Sequence, residues 1–415
     1  MEMNLPMNVK IVLEALHNNG HLAYVVGGCV RDFLLGKEPK DYDVATSALP
    51  EQIMDVFKGY EVIPTGLQHG TVTVVVGGTP IECTTFRVEI GYSDGRHPDN
   101  VLFALSVEDD LMRRDFRMNA IAYNPWHGLV DPYNGIKDLE NKTIRCMGNP
   151  YDRFNEDGLR VLRALRFAAQ LGFDIEEGTT KAIHDCKHLL DNISKERIQS
   201  ELCKILMSNH CGCEVLEEYQ DVINMFLSNT NIRHIQQVYM KKLGCMPTDK
   251  SDDIISRLAI LFNHDSENTY VNLKELKFSN EIVAYVTQLV SYHMFDLPTN
   301  KSEMKSFMNK MSIEQIRRLI FIKKTKAMLP EDIDNVAKAE NIFNEILEND
   351  ECYNLKQLAI NGNDLIEMGI PQGQLLGLFL DIILDKVIKG ETENNKEALF
   401  DAVRLLKAEI VLGSD

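Results

Sequence analysis

The residues best equipped for chemistry lie between positions 27 and 43: Gly27-Gly28-Cys29-Val30-Arg31-Asp32, then Phe33-Leu34-Leu35-Gly36, then Asp41-Tyr42-Asp43. Residues 22–26 are a short apolar run ending in two glycines, which reads as a strand, a tight turn and a helix start. Glycines at such a turn let the backbone approach a ligand and leave N–H groups for phosphate oxygens. If Asp41-Tyr42-Asp43-Val44 is a strand, its period of two sends both aspartates to one face. Two carboxylates side by side repel unless a cation joins them, so the pair reads as a divalent metal site, Asp41 and Asp43 holding Mg²⁺. A GG turn alone is common, and an Asp-x-Asp pair is often a solvated strand end. Their order and spacing carry the signal, because a phosphate cradle beside Mg²⁺ is what nucleotidyl transfer requires.

Three further stretches extend that chemistry. Residues 71–76 and 80–86 are β-rich runs on either side of Gly77-Gly78-Thr79, a hairpin pattern. Glu82 on the second run could bring a third carboxylate to the first two and complete a two-Mg²⁺ site. Such a site would lower the pKa of an attacking 3′-hydroxyl and clamp the α-phosphate and the leaving pyrophosphate. Arg113-Arg114-Asp115-Phe116-Arg117-Met118-Asn119 can neutralise a triphosphate, with Asp115 as acceptor and Arg114 as donor fork for sugar hydroxyls. In residues 155–167, Asp157, Arg160, Arg163 and Arg166 step by three along a helix whose leucines face the core. That face could be a solvated ion-pair stripe. It could also read a base: a carboxylate accepts the exocyclic amine of cytosine or adenine, and an arginine donates to the adjacent ring nitrogen. Uracil and guanine present the reverse pattern, so an Asp157–Arg160 pair would select CTP and ATP. Each mispairing would leave a buried polar group unsatisfied, at roughly 1–3 kcal/mol.

These motifs need elements to position them, and the chain has room for several domains. It has 415 residues, 44% hydrophobic and 26% charged, with formal net charge −18. That acidity excludes a protein that grips nucleic acid over its whole surface and makes any such contact local. The nine cysteines are scattered without a CxxC pair, as expected of reduced thiols in a cytoplasmic protein. The N-terminal residues lack a signal-peptide core, and no apolar run reaches the ~18 residues of a membrane span. The first ~145 residues read as α/β; from about Pro150 the strand signals nearly vanish and apolar spacings of three and four take over. The fold class is therefore α+β: an N-terminal head with a mixed sheet, followed by an all-helical neck, body and tail. Expected divisions are 1–145, 146–210, 211–300 and 301–415.

Taken in this order, the motifs resemble those of the bacterial class II tRNA nucleotidyltransferases, the CCA-adding enzymes of the DNA polymerase β superfamily. GGCVRD…DYDVATSA is similar to their catalytic motif, and GLQHGTV and IECTTFR to the next head strands. RRDFRMNAIA resembles the ribose motif, DPYNGIKDL closes the head, and EDGLRVLRALRFAAQLGF resembles the templating neck helix. Asn361-Gly362-Asn363-Asp364-Leu365 with residues 371–376 is similar to the tail of Gram-positive-type members. The resemblance implies that Asp41 and Asp43 hold Mg²⁺ and that Gly28 and Arg31 contact the triphosphate. It also implies that Arg114, Asp157, Arg160, Arg163 and Arg166 bind the incoming nucleotide. Body and tail would hold the tRNA acceptor stem and elbow through its backbone.

Related activities need separating. CC-adding enzymes lack a loop that residues 89–98 fill here. A-adding enzymes keep it, so both full CCA addition and A addition stay open. Poly(A) polymerases share the head but carry a more basic strand in place of GLQHGTV. A reading from another class is a tRNA clamp without catalysis, against which the intact carboxylates argue. Arg117 departs from the family's usual threonine. Asn263-His264-Asp265, with His293 and His234, faintly resembles a degenerate HD phosphohydrolase site.

Overall fold

A computed structural model describes residues 2–412 except 93–94, 96–97, 209–211, 229, 231–237, 240–252, 263–264 and 293–294. The chain divides into two compact units, one of residues 1–244 with 271–278, the other of residues 245–270 with 279–415.

The first unit opens with α1 (Met7–Asn18), β1 (Ala23–Val26), α2 (Gly28–Leu34), β2 (Asp43–Thr46), α3 (Pro50–Val56) and β3 (Glu61–Gly66). The expected hairpin follows as β4 (Thr71–Val76) and β5 (Thr79–Thr85). Val76 pairs with Thr79, so Gly77-Gly78 alone makes the loop, and both have positive φ (59° and 79°). Such a mirror-image turn matches the twist of the strands it joins and favours glycine. A separate ribbon is formed by β6 (Arg87–Ile90) and β7 (Asn100–Phe103), and α4 (Val107–Met112), β8 (Ala122–Asn124) and β9 (Gly128–Val130) complete the sheet region. The seven-stranded sheet runs β3-β4-β5-β2-β1-β8-β9. It is mixed because β2 lies parallel to β5 and antiparallel to β1.

All four residues of β1 are buried, and Tyr24, Val26, Ala45 and Phe86 share one apolar cluster with Leu111, Ala120 and Met147. Placing β1 and β2 at the sheet centre brings the glycine turn after β1 beside the carboxylates that begin β2.

After α5 (Gly135–Glu140) come α6 (Pro150–Glu156), α7 (Leu159–Leu171), α8 (Glu177–Cys186) and α9 (Lys195–Leu206). Helix α7 buries Leu159, Val161, Leu162, Leu165, Phe167 and Ala168, leaving Arg160, Arg163 and Arg166 on a three-step row. The helix ends at Gly172, whose φ of 67° suits a C-terminal glycine.

Among its described residues the second unit is built of helices and connecting loops, the helices including Asp253–Phe262, Asn280–Tyr292, Ile313–Lys326, Pro330–Glu348, Gln374–Lys389 and Lys396–Leu412. The NGND stretch is a capping box: Asn361 accepts the amides of Asn363 and Asp364, and Asp364 accepts the Asn361 amide at 2.7 Å. No helix among the described residues is long and apolar enough to cross a membrane. Of the HD-like residues, Asn263, His264, His293 and His234 lie outside the described residues, and Asp265 accepts the Asn268 amide at 2.8 Å at the start of a helix.

Candidate active site

Gly27 has φ 77°, and a Cβ there would meet Arg114 Nη1 at 2.7 Å. A side chain at this position would therefore be strained and would displace a guanidinium from the turn. Gly28 then starts α2, which carries Arg31 over the same space.

The acidic edge differs from the sequence expectation in one respect. Asp43 is the first residue of β2, but Asp41 lies before the strand. The reason is register: Val26 pairs with Asp43, and the next residue of β1 turns away at Gly27, leaving Tyr42 and Asp41 without a ladder partner. The strand period thus does not align the two aspartates. Glu82 lies where the sequence placed it, on a neighbouring strand, and is the register partner of Asp43. Burial pushes the Asp43 carboxyl above its ordinary value, Glu82 and then Asp41 push it further, and Arg114 opposes them. Three acids acting on one position is a cost that a divalent cation reverses. Among the described residues no three His, Cys, Asp or Glu side chains form a closed ligand set. An open edge of this kind suits a divalent cation held by one or two carboxylates, with water and substrate phosphates completing its shell.

Facing that edge is a cleft of about 490 Å³ whose lining includes Arg31, Arg113, Arg114, Arg160, Arg163, Arg166 and Arg197 against Asp43, Asp115 and Asp157. Its walls are held by a continuous polar network. Arg31 Nη1 donates to Asn119 Oδ1 at 2.9 Å, and Asn119 Nδ2 donates to Asp115 Oδ1 at 3.0 Å. Asp115 Oδ2 accepts both Nε (2.8 Å) and Nη2 of Arg163. Burial would raise the Asp115 carboxyl, but Arg163, Asn119 and Arg160 outweigh it and hold the group well below the usual carboxylate range. Asp115 thus joins the ribose motif to α7, and both its oxygens already have partners. Arg114 donates to Asp110 at 3.3 Å, and Asp110, fully buried, also receives Arg113 at 2.8 and 3.0 Å. The Phe167 ring lies under Arg31, Arg163 and Arg166, with centroid distances of 5.1, 5.6 and 4.2 Å.

The expected Asp157–Arg160 neighbourhood needs a correction. Helix α6 ends at Glu156, Asp157 is extended (φ −147°, ψ 104°), and α7 begins two residues later. Gly158 makes this break: a Cβ there would meet Leu189 Cβ at 2.9 Å and its carbonyl at 3.1 Å, so the chain passes close to the 187–192 segment. Asp157 is therefore off the helical row and makes no ion pair with Arg160. Its Oδ2 accepts Arg197 Nη2 at 2.8 Å and its Oδ1 the Leu159 amide at 3.1 Å. Arg160 pairs with Glu156 and donates to the Arg153 carbonyl at 3.1 Å. Both residues still line the one cleft. Arg166 ion-pairs with buried Glu201 at 2.6 Å.

Of the residues singled out in the sequence, Gly28, Arg31, Asp43, Arg114, Asp115, Asp157, Arg160, Arg163 and Arg166 share the cleft; Asp41 and Glu82 adjoin it through Asp43. The arginines of the ribose motif were expected at a triphosphate, and Arg113 does line the cleft; sequence reasoning missed Asn119 and Phe167, although both sit inside quoted motifs. It also missed Arg197, whose helix α9 offers no local signal of a partner 40 positions away.

This fold and cleft define a polymerase-β-like nucleotidyltransferase. Residues 23–145 match the poly(A) polymerase head domain, residues 172–219 an RNA- and SrmB-binding region of polymerase A, and residues 246–403 a tRNA nucleotidyltransferase domain 2. The CCA-adding enzyme of Lactobacillus delbrueckii subsp. bulgaricus is 35% identical over 94% of this chain and 95% of its own. That of Lactococcus lactis subsp. lactis is 34% identical over 96% and 97%. The crystal structure of the Bacillus stearothermophilus CCA-adding enzyme in complex with CTP superposes with a TM-score of 0.78 at 30% identity, covering 99% of this chain and all of that one. The chain belongs to the CCA-adding enzyme family.

Proposed function

We propose that this chain adds C, C and A in turn to the 3′ end of tRNA, taking CTP and ATP and releasing pyrophosphate. One observation carries the reading: seven arginines converge on a single cleft beside an acidic strand edge, in a chain of net charge −18. Guanidinium groups gathered against that overall charge suit a triphosphate, not a general polyanion surface. The Bacillus stearothermophilus CCA-adding enzyme has been solved in complex with CTP, and other structurally similar CCA-adding enzymes with ATP and with tRNA_CCA, which supports the same substrates here.

In this reading Arg31 and Arg114 take triphosphate oxygens at the glycine turn. Asp157 accepts an exocyclic amine and Arg160 donates to the neighbouring ring nitrogen, admitting cytosine and adenine. Asp115 keeps Arg163 and, through Asn119, Arg31 in place and closes the ribose side. Asp41 and Asp43 hold the divalent cation that this class of transferase needs, Mg²⁺ in our assignment, with Glu82 as the third carboxylate. When bound, the cation lowers the proton affinity of the primer hydroxyl and shares the phosphate charge. The β6–β7 ribbon at the base of residues 89–98 is tied to the cleft, since Glu89 accepts Arg113 Nη1 at 3.1 Å. That tie supports a lever that moves when the primer lengthens. Head, neck, body and tail at 1–145, 146–210, 211–300 and 301–415, and a cytoplasmic site of action, belong to the same proposal.

The test of the lever is deletion or stiffening of residues 89–98. A addition should slow far more than C addition; equal rates would remove the loop from the switch.

A further inference from the structure

Nucleotidyl transfer displaces pyrophosphate in line, so the entering oxygen and the leaving group lie on opposite sides of phosphorus. In the proposed reading the triphosphate lies at the glycine turn, which follows β1 on one side of Asp43. On the other side of β2 the sheet continues through β5, β4 and β3. The primer end must therefore reach the acidic edge over these three strands.

Register fixes which side chains share the face of the acids. Asp43 pairs with Glu82 across β2–β5, and Glu82 with Thr73 across β5–β4. Two residues further along β5, Thr84 pairs with Thr71. Opposed residues share a face, and so do residues two apart on one strand. The alternating Val72, Val74, Ile81 and Cys83 are buried on the other face. Two hydroxyl pairs therefore lie beyond Glu82 on the acidic face. Thr71 Oγ1 and Thr84 Oγ1 are 3.0 Å apart, and Thr73 Oγ1 and Thr65 Oγ1 2.9 Å apart. Neighbouring strands are ~4.8 Å apart and residues two apart ~6.6 Å, so one nucleotide can span from Glu82 to Thr73 or Thr84. No Lys or Arg stands at these registered positions, which makes the surface a poor one for phosphate. Hydroxyls both donate and accept, which suits a sugar hydroxyl.

On the reading that this chain extends tRNA, we infer that the threonine face is the subsite for the primer's terminal ribose, whose 2′-hydroxyl is held between Thr73 and Thr84 while its 3′-hydroxyl lies at Asp43 and Glu82. Thr73 and Thr84 are diagonal neighbours across β4–β5, close enough for one hydroxyl to donate to one and accept from the other. Thr71 and Thr65 hold the two threonines in place from their outer sides. Such a contact tells a ribose end from a deoxyribose end and sets the depth of the attacking oxygen.

The probe is a tRNA ending at the discriminator base, with either ribose or 2′-deoxyribose at that last nucleotide, extended by labelled CTP in single turnover. The parent chain should extend the ribose form about tenfold faster. Thr73→Val and Thr84→Val should each lower that ratio about threefold, the scale of one lost hydrogen bond, and Thr84→Ser should keep it. A merely structural role for the hydroxyls would slow both tRNAs alike and leave the ratio unmoved, which overturns the inference. A rise in the KM for CTP with the ratio kept also overturns it, because the hydroxyls would then serve the incoming nucleotide. A parent ratio of one does the same without any variant, so the matter is decided even if a variant does not fold. Failure of the parent to extend either tRNA removes the functional reading and the subsite together; extension of both at one rate removes the subsite alone.

Discussion

Two aspartates lining one cleft, Asp43 and Asp115, are held in opposite electrostatic conditions. Asp43 sits at the strand edge beside Glu82 and near Asp41, and its carboxyl is pushed up; Asp115 lies under Arg163 and Asn119, and its carboxyl is held down. The acidic edge is thus rich in negative charge, whereas the arginine wall is braced by carboxylates, among them Asp115, Asp110, Glu156 and Glu201. An acidic edge and a wall rich in guanidinium are complementary to the two parts of a metal–nucleoside triphosphate. A structural carboxylate, in contrast, would resemble Asp115 on both sides.

That contrast can be broken most severely at Asp43. Asp43→Ala should lower the rate of CTP incorporation by at least ~10²-fold under single-turnover conditions. Its thermal midpoint in metal-free buffer should stay level or rise, because a like-charge repulsion is removed. A clear loss of stability would make Asp43 a structural partner instead.

Asp115→Asn should do the reverse. It breaks a buried ion pair at a cost of about 3 kcal/mol, the low end for such pairs because Arg163 keeps some contact with water. Denaturant unfolding measures this, and equal stability of variant and parent would mean that the network is not holding α7 to the head.

Asp157→Asn tests the proposed base-reading pair, Asp157 and Arg160, which line the cleft together. An amide can donate to a carbonyl, so discrimination of CTP over UTP should drop by about tenfold, within the 1–3 kcal/mol expected of a paired base contact. Competition between labelled CTP and UTP on one primer reads the ratio, and an unchanged ratio would move base reading elsewhere.

The smallest effect concerns Lys326, whose amine is pushed down by burial and by the like charge of Lys323. Its amine titrates at about 7 in the folded chain, against the ordinary 10.5. The unfolded chain therefore binds more protons above pH 7, and stability should rise as pH increases from there. The window closes toward pH 9, where the thiols of Cys29, Cys83 and Cys146, pushed up to about 11, 12 and 12 from 9.0, begin to act in the other direction. Urea unfolding at pH 7 and 8.5 should show the rise, and Lys326→Met should flatten it.

What the sequence made legible follows from how local each signal is. The GG turn, the 71–86 hairpin and the arginine row of α7 depend on neighbours within a few residues, and all were found. Asp41 was read as part of a strand that begins only at Asp43, because a strand's end is set by its partner's register, which a single run does not contain. The position of Asp157 off the helical row was hidden for a related reason: the break at Gly158 is imposed by close passage of Leu189. Arg197 was invisible because its ion pair with Asp157 spans two helices. The polar network around Asp115 was half visible, its donors quoted but their mutual contacts unknowable from spacing.

The central claim is addressed most directly with one tRNA transcript in three forms, ending at the discriminator base, at C and at CC. Each is incubated with Mg²⁺ and labelled CTP or ATP, with both nucleotides together for extension to completion, beside an Asp41→Ala, Asp43→Ala control. The account predicts that all three forms are extended to CCA by the parent chain and none by the control. Growth of the CC form alone, with ATP, or binding of tRNA without any extension, would contradict it.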